Sequence, residues 1–413
     1  MTNSPSVKSL AQGSASSTGQ RNVVTIATVT CGLISNDPPS KDDGAFSSET
    51  RVVKRVFTLP ALELEGGQTL KNVRVGYECY GKLNVAGDNA ILILHYFTGS
   101  SHAAGRYNLS DAEPGYWDSI IGPGKAIDTE KFFVVGVDSL SNLYCRNPMV
   151  VTTGPTSINP DTGRAYGASF PVVTMADFVN SQYSLCHYLG IKSLHAVCGS
   201  SMGSMTALEW GARFPEFVKR VMGVIGGGLA APPYLVAMLR QWTMPILLDP
   251  KFNDGHYETE HQPLQGLAAS LELVTLTALS PNWAERSFQR RPADRDFPPG
   301  ASLKNLFSIE SSIALTAAAR AELADANSFL RLAKAVQLFD INGIKEKLRA
   351  KILWIPARED KLIFPEYAER GIRDLRELGL DVQTTMLETD GGHLDGLNEI
   401  KTKTAEIRAF LEA

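Results

Sequence analysis

The sequence predicts an α/β fold in which a mostly parallel sheet is covered by helices and interrupted by one helical insertion. From Arg51 onward, short β-branched or apolar runs alternate with helical patterns, the signature of a parallel sheet with crossover helices. Two of those runs, "AILILH" and "KILWIPA", are apolar almost throughout, as strands buried on both faces must be. A long segment from about Leu229 to Lys345 has helical patterning, Pro-rich breaks such as "RRPADRDFPPG" and no strand pattern.

In chain order the strand candidates are "RVVKRVFTL", "VRVGYECYG", "AILILHYF", "FFVVGVDSL", "SLHAVCGS", "RVMGVIGG", "KILWIPA" and "VQTTMLE". The helical segment falls between the sixth and the seventh and reads as an inserted lid; its Ala- and Leu-rich stretch "SLKNLFSIESSIALTAAARAELADANSFLRLAKAVQLFD" suits packed helices. Residues 51–228 and 346–413 then form the core, and residues 229–345 the lid. Residues 1–50 are rich in Ser, Thr, Asn and Gly and read as a flexible tail followed by a short extended arm. Their one apolar run, "VVTIATVTCGLIS", lacks a small-residue cleavage pattern, so a secretion signal is not favoured.

The chain has 413 residues, 44% hydrophobic and 20% charged, the make-up of a globular protein of one large domain plus an insertion. The net charge of −4 and the lack of a dense Lys/Arg cluster give no footprint for nucleic acid, and none is expected as a partner. Five cysteines, odd in number and without CxxC spacing, suggest neither a disulfide framework nor a zinc site, and point to a reducing, cytoplasmic setting. No stretch approaches the roughly 18 apolar residues of a membrane span. The seven histidines show no HExxH spacing, so no metal is expected.

Chemistry enters at "LHAVCGSSMGSMTALEWGARFP", which sets Gly199, Ser201 and Gly203 in a GxSxG pattern between an apolar strand and a helix. That context is the sharp turn that holds a serine in strained geometry and presents its hydroxyl to a pocket, with glycines removing Cβ atoms that would clash. A developing oxyanion would meet the backbone N–H of Met202, at the start of the helix, and that of Phe97, in the "HYFTGSS" loop after the third strand. A serine nucleophile needs a histidine base and a carboxylate to orient it, in the chain order Ser, acid, His. His393, in "ETDGGHLDGLNEI", follows the last strand; Asp360, in "LWIPAREDKLIFP", follows the seventh and is preferred to its neighbour Glu359. Asp138 reads as structural, and His95, His102 and His195 as core or loop residues. The expected fold is therefore an α/β-hydrolase, with Ser201, Asp360 and His393 as its catalytic triad.

The motifs "FTGSSHAAG", "YWDSIIGPGKAIDTEKFFVV", "TGPTSINPDTGRAYGASFPVVTMADFV", "GSSMGSMTALEWGARFP", "DPKFNDGHY" and "DANSFL" resemble those of the homoserine O-acetyltransferases, a family within the α/β-hydrolases. The resemblance runs from about Arg51 to the end. It implies a helical lid, a deep site for an acyl enzyme made from an ester or thioester, a homodimer built through lid helices, and the same triad.

Two departures bear on the acceptor. The resemblance implies an aspartate directly after the histidine, to meet a substrate ammonium, and an arginine shortly before "DP", to meet its carboxylate. Leu394 and Thr243 stand at those places, unless Asp395 or Arg240 takes over the charge by a local shift. Unpaired, the two charges of an amino-acid acceptor would cost several kcal/mol to desolvate. The expectation is a serine esterase acting on small neutral acetyl-type esters such as alkyl acetates, without a cofactor. The alternative is an O-acetyltransferase to homoserine or another alcohol, with acetyl-CoA as co-substrate; a minor alternative is a catalytically inactive binding protein. A further departure, "GSSMGS" where the family commonly has GGSMGG, places Ser200 and Ser204 at the elbow.

Overall fold

The computed structural model describes residues 34–39 and 51–413; the rest of the tail and arm expected over residues 1–50 lies outside the described residues. Eight strands match the eight apolar runs: β1 (Lys54–Glu63), β2 (Thr69–Tyr80), β3 (Ala90–Leu94), β4 (Phe133–Val137), β5 (Leu194–Ser200), β6 (Arg220–Val224), β7 (Lys351–Ile355) and β8 (Val382–Thr384). They lie in one sheet in the order β1-β2-β4-β3-β5-β6-β7-β8, and the two-residue strand Ile34–Ser35 adds to β1 at one edge. The β1–β2 and β2–β4 pairs are antiparallel, and every pairing from β4 through β8 is parallel.

The apolar run of β3 explains its central place. All five of its residues are buried, and they alternate between two cores as the period of a strand demands. Leu92 and Leu94 join the core under α1 (Met175–Tyr188) and α2 (Met202–Arg213), whereas Ile91 and Ile93 face Trp117, Ile120 and the C-terminal helix. Helix α1 starts at a capping box, in which the Thr174 hydroxyl accepts from Asp177 N–H and the Asp177 carboxylate accepts from Thr174 N–H.

Between β6 and β7 the chain makes α3 (Pro233–Leu248), α4 (Leu264–Ala278), α5 (Pro281–Phe288), α6 (Ser308–Ala321) and α7 (Ala326–Gln337). Backbone bonds close the neck of this insertion: Ala231 N–H donates to Phe339 O at 2.9 Å and Ile341 N–H to Leu229 O at 2.9 Å. After β7 come α8 (Pro365–Glu377), the one-turn α9 (Asp395–Asn398) and α10 (Thr404–Glu412).

A buried ionic cluster ties the antiparallel strands to the loop after β3. Lys54 is fully buried, with its ammonium 2.7 Å from Glu78 Oε1 and 4.0 Å from Asp138 Oδ2, and it also donates to Ser101 Oγ. Glu78 takes further bonds from Tyr107 at 2.5 Å, Tyr80 at 2.9 Å and His102 Nδ1 at 2.9 Å, while Asp138 accepts from Ser101 N–H at 2.7 Å and Thr152 Oγ1 at 3.0 Å. Asp138 is structural for this reason: it pins the loop that carries Phe97. Burial alone would raise the Glu78 carboxyl, but the charge of Lys54 and the bond from His102 outweigh it and hold the group far below the ordinary carboxylate range.

A carboxyl held low when folded stabilises the fold above its unfolded value of about 4.3, and that contribution is lost as pH falls toward the folded value. Lys54→Met leaves two buried carboxylates without their cation, so it is expected to cost about 3–5 kcal/mol. In thermal and acid denaturation the variant should melt lower and unfold at a higher pH than the parent; identical curves would show that the cluster contributes nothing.

Candidate active site

Ser201 ends β5 and begins α2 with φ 54° and ψ −116°, a backbone conformation that a non-glycine residue adopts only under constraint. Its own N–H donates to Val224 O at 2.9 Å on the neighbouring strand. The flanking glycines make the turn sterically feasible. A Cβ on Gly199 would lie 2.1 Å from Gly203 O, and one on Gly203 would lie 2.2 Å from Leu94 O in β3. Ser204 Oγ donates to Ser201 O at 2.6 Å and so braces the turn, whereas Ser200 Oγ is buried with no partner among the described residues.

The hydroxyl of Ser201 stands 2.8 Å from His393 Nε2, and His393 Nδ1 stands 2.7 Å from Asp360 Oδ2. An ionised carboxylate only accepts, so Nδ1 donates to Asp360 and Nε2 is left to accept from the serine. Asp360 is itself fixed: its Oδ1 accepts from Leu362 N–H at 2.9 Å and Ile363 N–H at 2.8 Å, and the residue is 1% exposed. The rival Glu359 is directed toward Lys361, 3.8 Å away. His393 follows Gly392, whose φ of 82° and close approach to Ser280 N and Ala278 O seat the histidine loop on the end of α4. This arrangement can move a proton from the hydroxyl to the imidazole and balance the resulting charge on Asp360.

These groups open on a cavity of about 420 Å³ that is also lined by Phe97, Met202 and Leu394. Neither the Phe97 nor the Met202 N–H donates to a protein acceptor among the described residues, and both remain able to meet an oxyanion. Leu235, Leu239 and Trp242 of α3 supply an apolar wall at helical spacing.

Thr243 requires a correction. It is buried beside that stripe rather than on the cavity wall, and its hydroxyl is already satisfied by Arg240 O at 2.9 Å within α3. Arg240 is exposed and does not line the cavity. Asp395 is buried beneath its loop, accepting from Gly391 N–H at 2.9 Å, and burial pushes its carboxyl up. Neither residue restores a charge at the places where Thr243 and Leu394 stand.

The cavity is nevertheless not stripped of positive charge, because Arg320 of α6 lines it, as does Lys401 near the C-terminus; Arg320 is the buried one of the two. The expectation of small neutral esters left this residue out of account. A signal existed in the sequence: Ile313, Thr316, Ala317, Arg320 and Ala321 form the buried stripe of α6, and an arginine on such a stripe calls for a partner. Other histidines serve the scaffold. His95 Nδ1 bonds Tyr96 O at 2.7 Å, its Nε2 accepts from Ser139 N–H at 3.0 Å, and His195 Nε2 bonds Leu411 O at 2.7 Å. Among the described residues no group of three or more His, Cys, Asp or Glu could hold a metal ion, the cysteines are free thiols, and no helix is long and apolar enough to cross a membrane.

Comparison with known proteins gives the geometry a family. The family described as alpha/beta hydrolase fold matches residues 89–399. The homoserine O-acetyltransferase of Methanococcoides burtonii is 39% identical over 342 residues, covering 80% of this chain and 67% of its own length. Among solved structures, esterase E22 is 46% identical with a TM-score of 0.83, covering 87% of this chain and 100% of its own. The homoserine O-acetyltransferase of Bacillus anthracis is 36% identical with a TM-score of 0.83, covering 88% of this chain and 98% of its own. The chain belongs to the homoserine O-acetyltransferase family of the α/β-hydrolase fold.

Proposed function

We propose that this member of the family hydrolyses short-chain, acetyl-type carboxylic esters through an acyl enzyme on Ser201, with water as the acceptor. The observation that carries this is the hydrogen-bonded series Ser201, His393, Asp360 opening on a cavity in which the residue after the histidine is Leu394. In the first half of the reaction Ser201 Oγ attacks the ester carbonyl while His393 Nε2 takes its proton, and the N–H groups of Phe97 and Met202 hold the oxyanion. His393 returns the proton to the departing alcohol. Water then attacks the acyl enzyme by the same route, and the free acid leaves.

A second reading has a specific observation behind it. The curated relatives carry the name homoserine O-acetyltransferase, and by name they lean further toward transfer from acetyl-CoA to homoserine than toward hydrolysis. Against that stands the side-chain chemistry. The carboxylates on the cavity wall, Glu113 and Asp118, belong to the loop around residues 105–119 rather than to the histidine turn, and Asp118 is committed to Lys125 at 3.3 Å. A homoserine ammonium beside Leu394 would be left without the partner the family supplies there, a deficit of about 3 kcal/mol or roughly a hundredfold in binding. The similarity to esterase E22 supports water as the acceptor.

The test is a side-by-side assay of a short-chain acetate ester in water and of acetyl-CoA with homoserine, following acetate and free thiol. Hydrolysis without homoserine-dependent thiol release is expected; thiol release that requires homoserine would favour the transferase. Ser201→Ala should lower ester turnover by about three orders of magnitude or more while the protein stays folded by circular dichroism. Leu394→Asp should raise the ratio of O-acetylhomoserine to acetate about tenfold or more, read by chromatography of the products. An unchanged ratio would remove Leu394 as the determinant of the acceptor.

A further inference from the structure

Arg320 lies in the buried stripe of α6 and is 8% exposed, yet no carboxylate forms an ion pair with it among the described residues. Its protein partners are two hydroxyls. Its Nε donates to Tyr144 OH at 2.7 Å, from the loop after β4, and its Nη1 donates to Thr275 Oγ1 at 3.3 Å, on α4. Thr275 has no proton left to donate, because its hydroxyl already donates to Leu271 O at 2.7 Å. A guanidinium carries five N–H donors, so three remain, and the Tyr144 hydroxyl, having accepted from Nε, keeps its own proton to donate. Arg320, Tyr144 and Thr275 all line the cavity that contains Ser201 and His393.

Three N–H groups of the guanidinium and the Tyr144 O–H therefore have no protein acceptor among the described residues. A buried charge is held by a partner or a hydrogen-bonded counterion, and a planar fork beside a hydroxyl is matched in shape by a carboxylate. Its position relative to the reacting atoms is also constrained. Thr275 is one helical turn from Ala278, whose carbonyl would lie 3.2 Å from a Cβ on Gly392, the residue before His393. The charged corner and the histidine turn thus rest on the same end of α4.

We propose that Arg320, with Tyr144, forms a carboxylate-binding subsite, so that the preferred substrate is a short ester bearing a free carboxylate but no ammonium. The subsite deepens the ester-hydrolase proposal and rests on it. It accounts for two features of a wall that also carries Glu113, Asp118 and Lys401: the cation on α6, and Leu394 at the place where the family resemblance implies a carboxylate after His393. The carboxylate can sit on either side of the ester bond. In a monoester of a dicarboxylic acid it belongs to the acyl part, and in an O-acetyl hydroxy acid it belongs to the alcohol part.

Two substrate pairs distinguish these. The first is ethyl hydrogen succinate and the same ester with its carboxyl capped as the methyl amide; the second is O-acetylglycolate and its methyl amide. In one pair the carboxylate form should have a kcat/KM about tenfold or more above its capped form. Arg320→Met should bring that ratio toward one, chiefly through KM, and Arg320→Lys, which keeps the charge without the fork, should retain part of it. A purely structural role for the arginine would lower both members of a pair together and leave the ratio unchanged, which would overturn the proposal, as would ratios near one in both pairs for the unmodified protein. Should none of the esters be hydrolysed although a fluorophosphonate probe labels Ser201, the hydrolase proposal fails by itself. The subsite is then tested by protection: glutarate slows labelling of the unmodified protein and not of Arg320→Met if the subsite exists, and equal rates overturn it.

Discussion

The contact between Gly203 and the carbonyl of Leu94, together with that between Gly199 and the carbonyl of Gly203, fixes the distance between β3, β5 and the start of α2. With no Cβ on either glycine, the chain can turn within a few residues from a buried strand into a buried helix, and Ser201 takes the positive φ that this turn requires. Such a conformation costs on the order of 1–3 kcal/mol, which the surrounding packing must offset. The pairing of Ser201 N–H with Val224 O and the brace from Ser204 Oγ are part of that offset. The result is a hydroxyl that faces a cavity and meets an imidazole at 2.8 Å.

The rest of the site is positioned by rigid elements that converge on the same edge of the sheet. The loop after β3 carries Phe97 and is held by the Ser101 bond to Asp138, which in turn belongs to the cluster around Lys54. The loop after β7 carries Asp360 and wraps its own backbone around the carboxylate. The turn after β8 carries His393 and leans on the junction of α4 and α5, where Ser280 Oγ, at the N-cap of α5, donates to Asp390 O. The insertion is therefore not only a cover. It supplies the seat for the histidine turn as well as the apolar wall of α3 and the charged corner of α6.

How much of this is legible in sequence depends on how local each signal is. The eight strands are visible because each is a short run of one character; β3, apolar on both faces, is central as its run predicts, whereas β7, equally apolar and expected at the centre, is second from the edge, where helices still bury both its faces. Ser201 is visible because its glycines are two residues away on either side, and Asp360 is separable from Glu359 by the apolar run and proline, Leu362 to Pro365, that begins two residues after it. The side chains that decide the acceptor are harder. Spacing from Asp249 puts Thr243 in the pocket, but the rotational phase of α3 turns Trp242 to the cavity instead. Arg320 meets Tyr144 and Thr275 across 176 and 45 residues of sequence, so only its place on a buried stripe hints at it. The partnership of Lys54 with Glu78 and Asp138 is hidden in the same way, because antiparallel pairing and a crossover bring the three together.

On the reading proposed above, an arginine paired with hydroxyls rather than an acid and a leucine after the histidine suit an acceptor other than an amino acid. The shared apparatus can form an acyl enzyme from an ester or a thioester, and the acceptor is decided by what else the cavity pairs. The most direct measurement of that chemistry is rapid-quench mass spectrometry of the protein mixed with an activated acetate ester. One acetyl group should appear on the peptide containing Ser201 before the first turnover and should be lost to water without any added alcohol. Turnover with no acetyl on that peptide, or an acetyl that persists until homoserine is added, would contradict hydrolysis through Ser201.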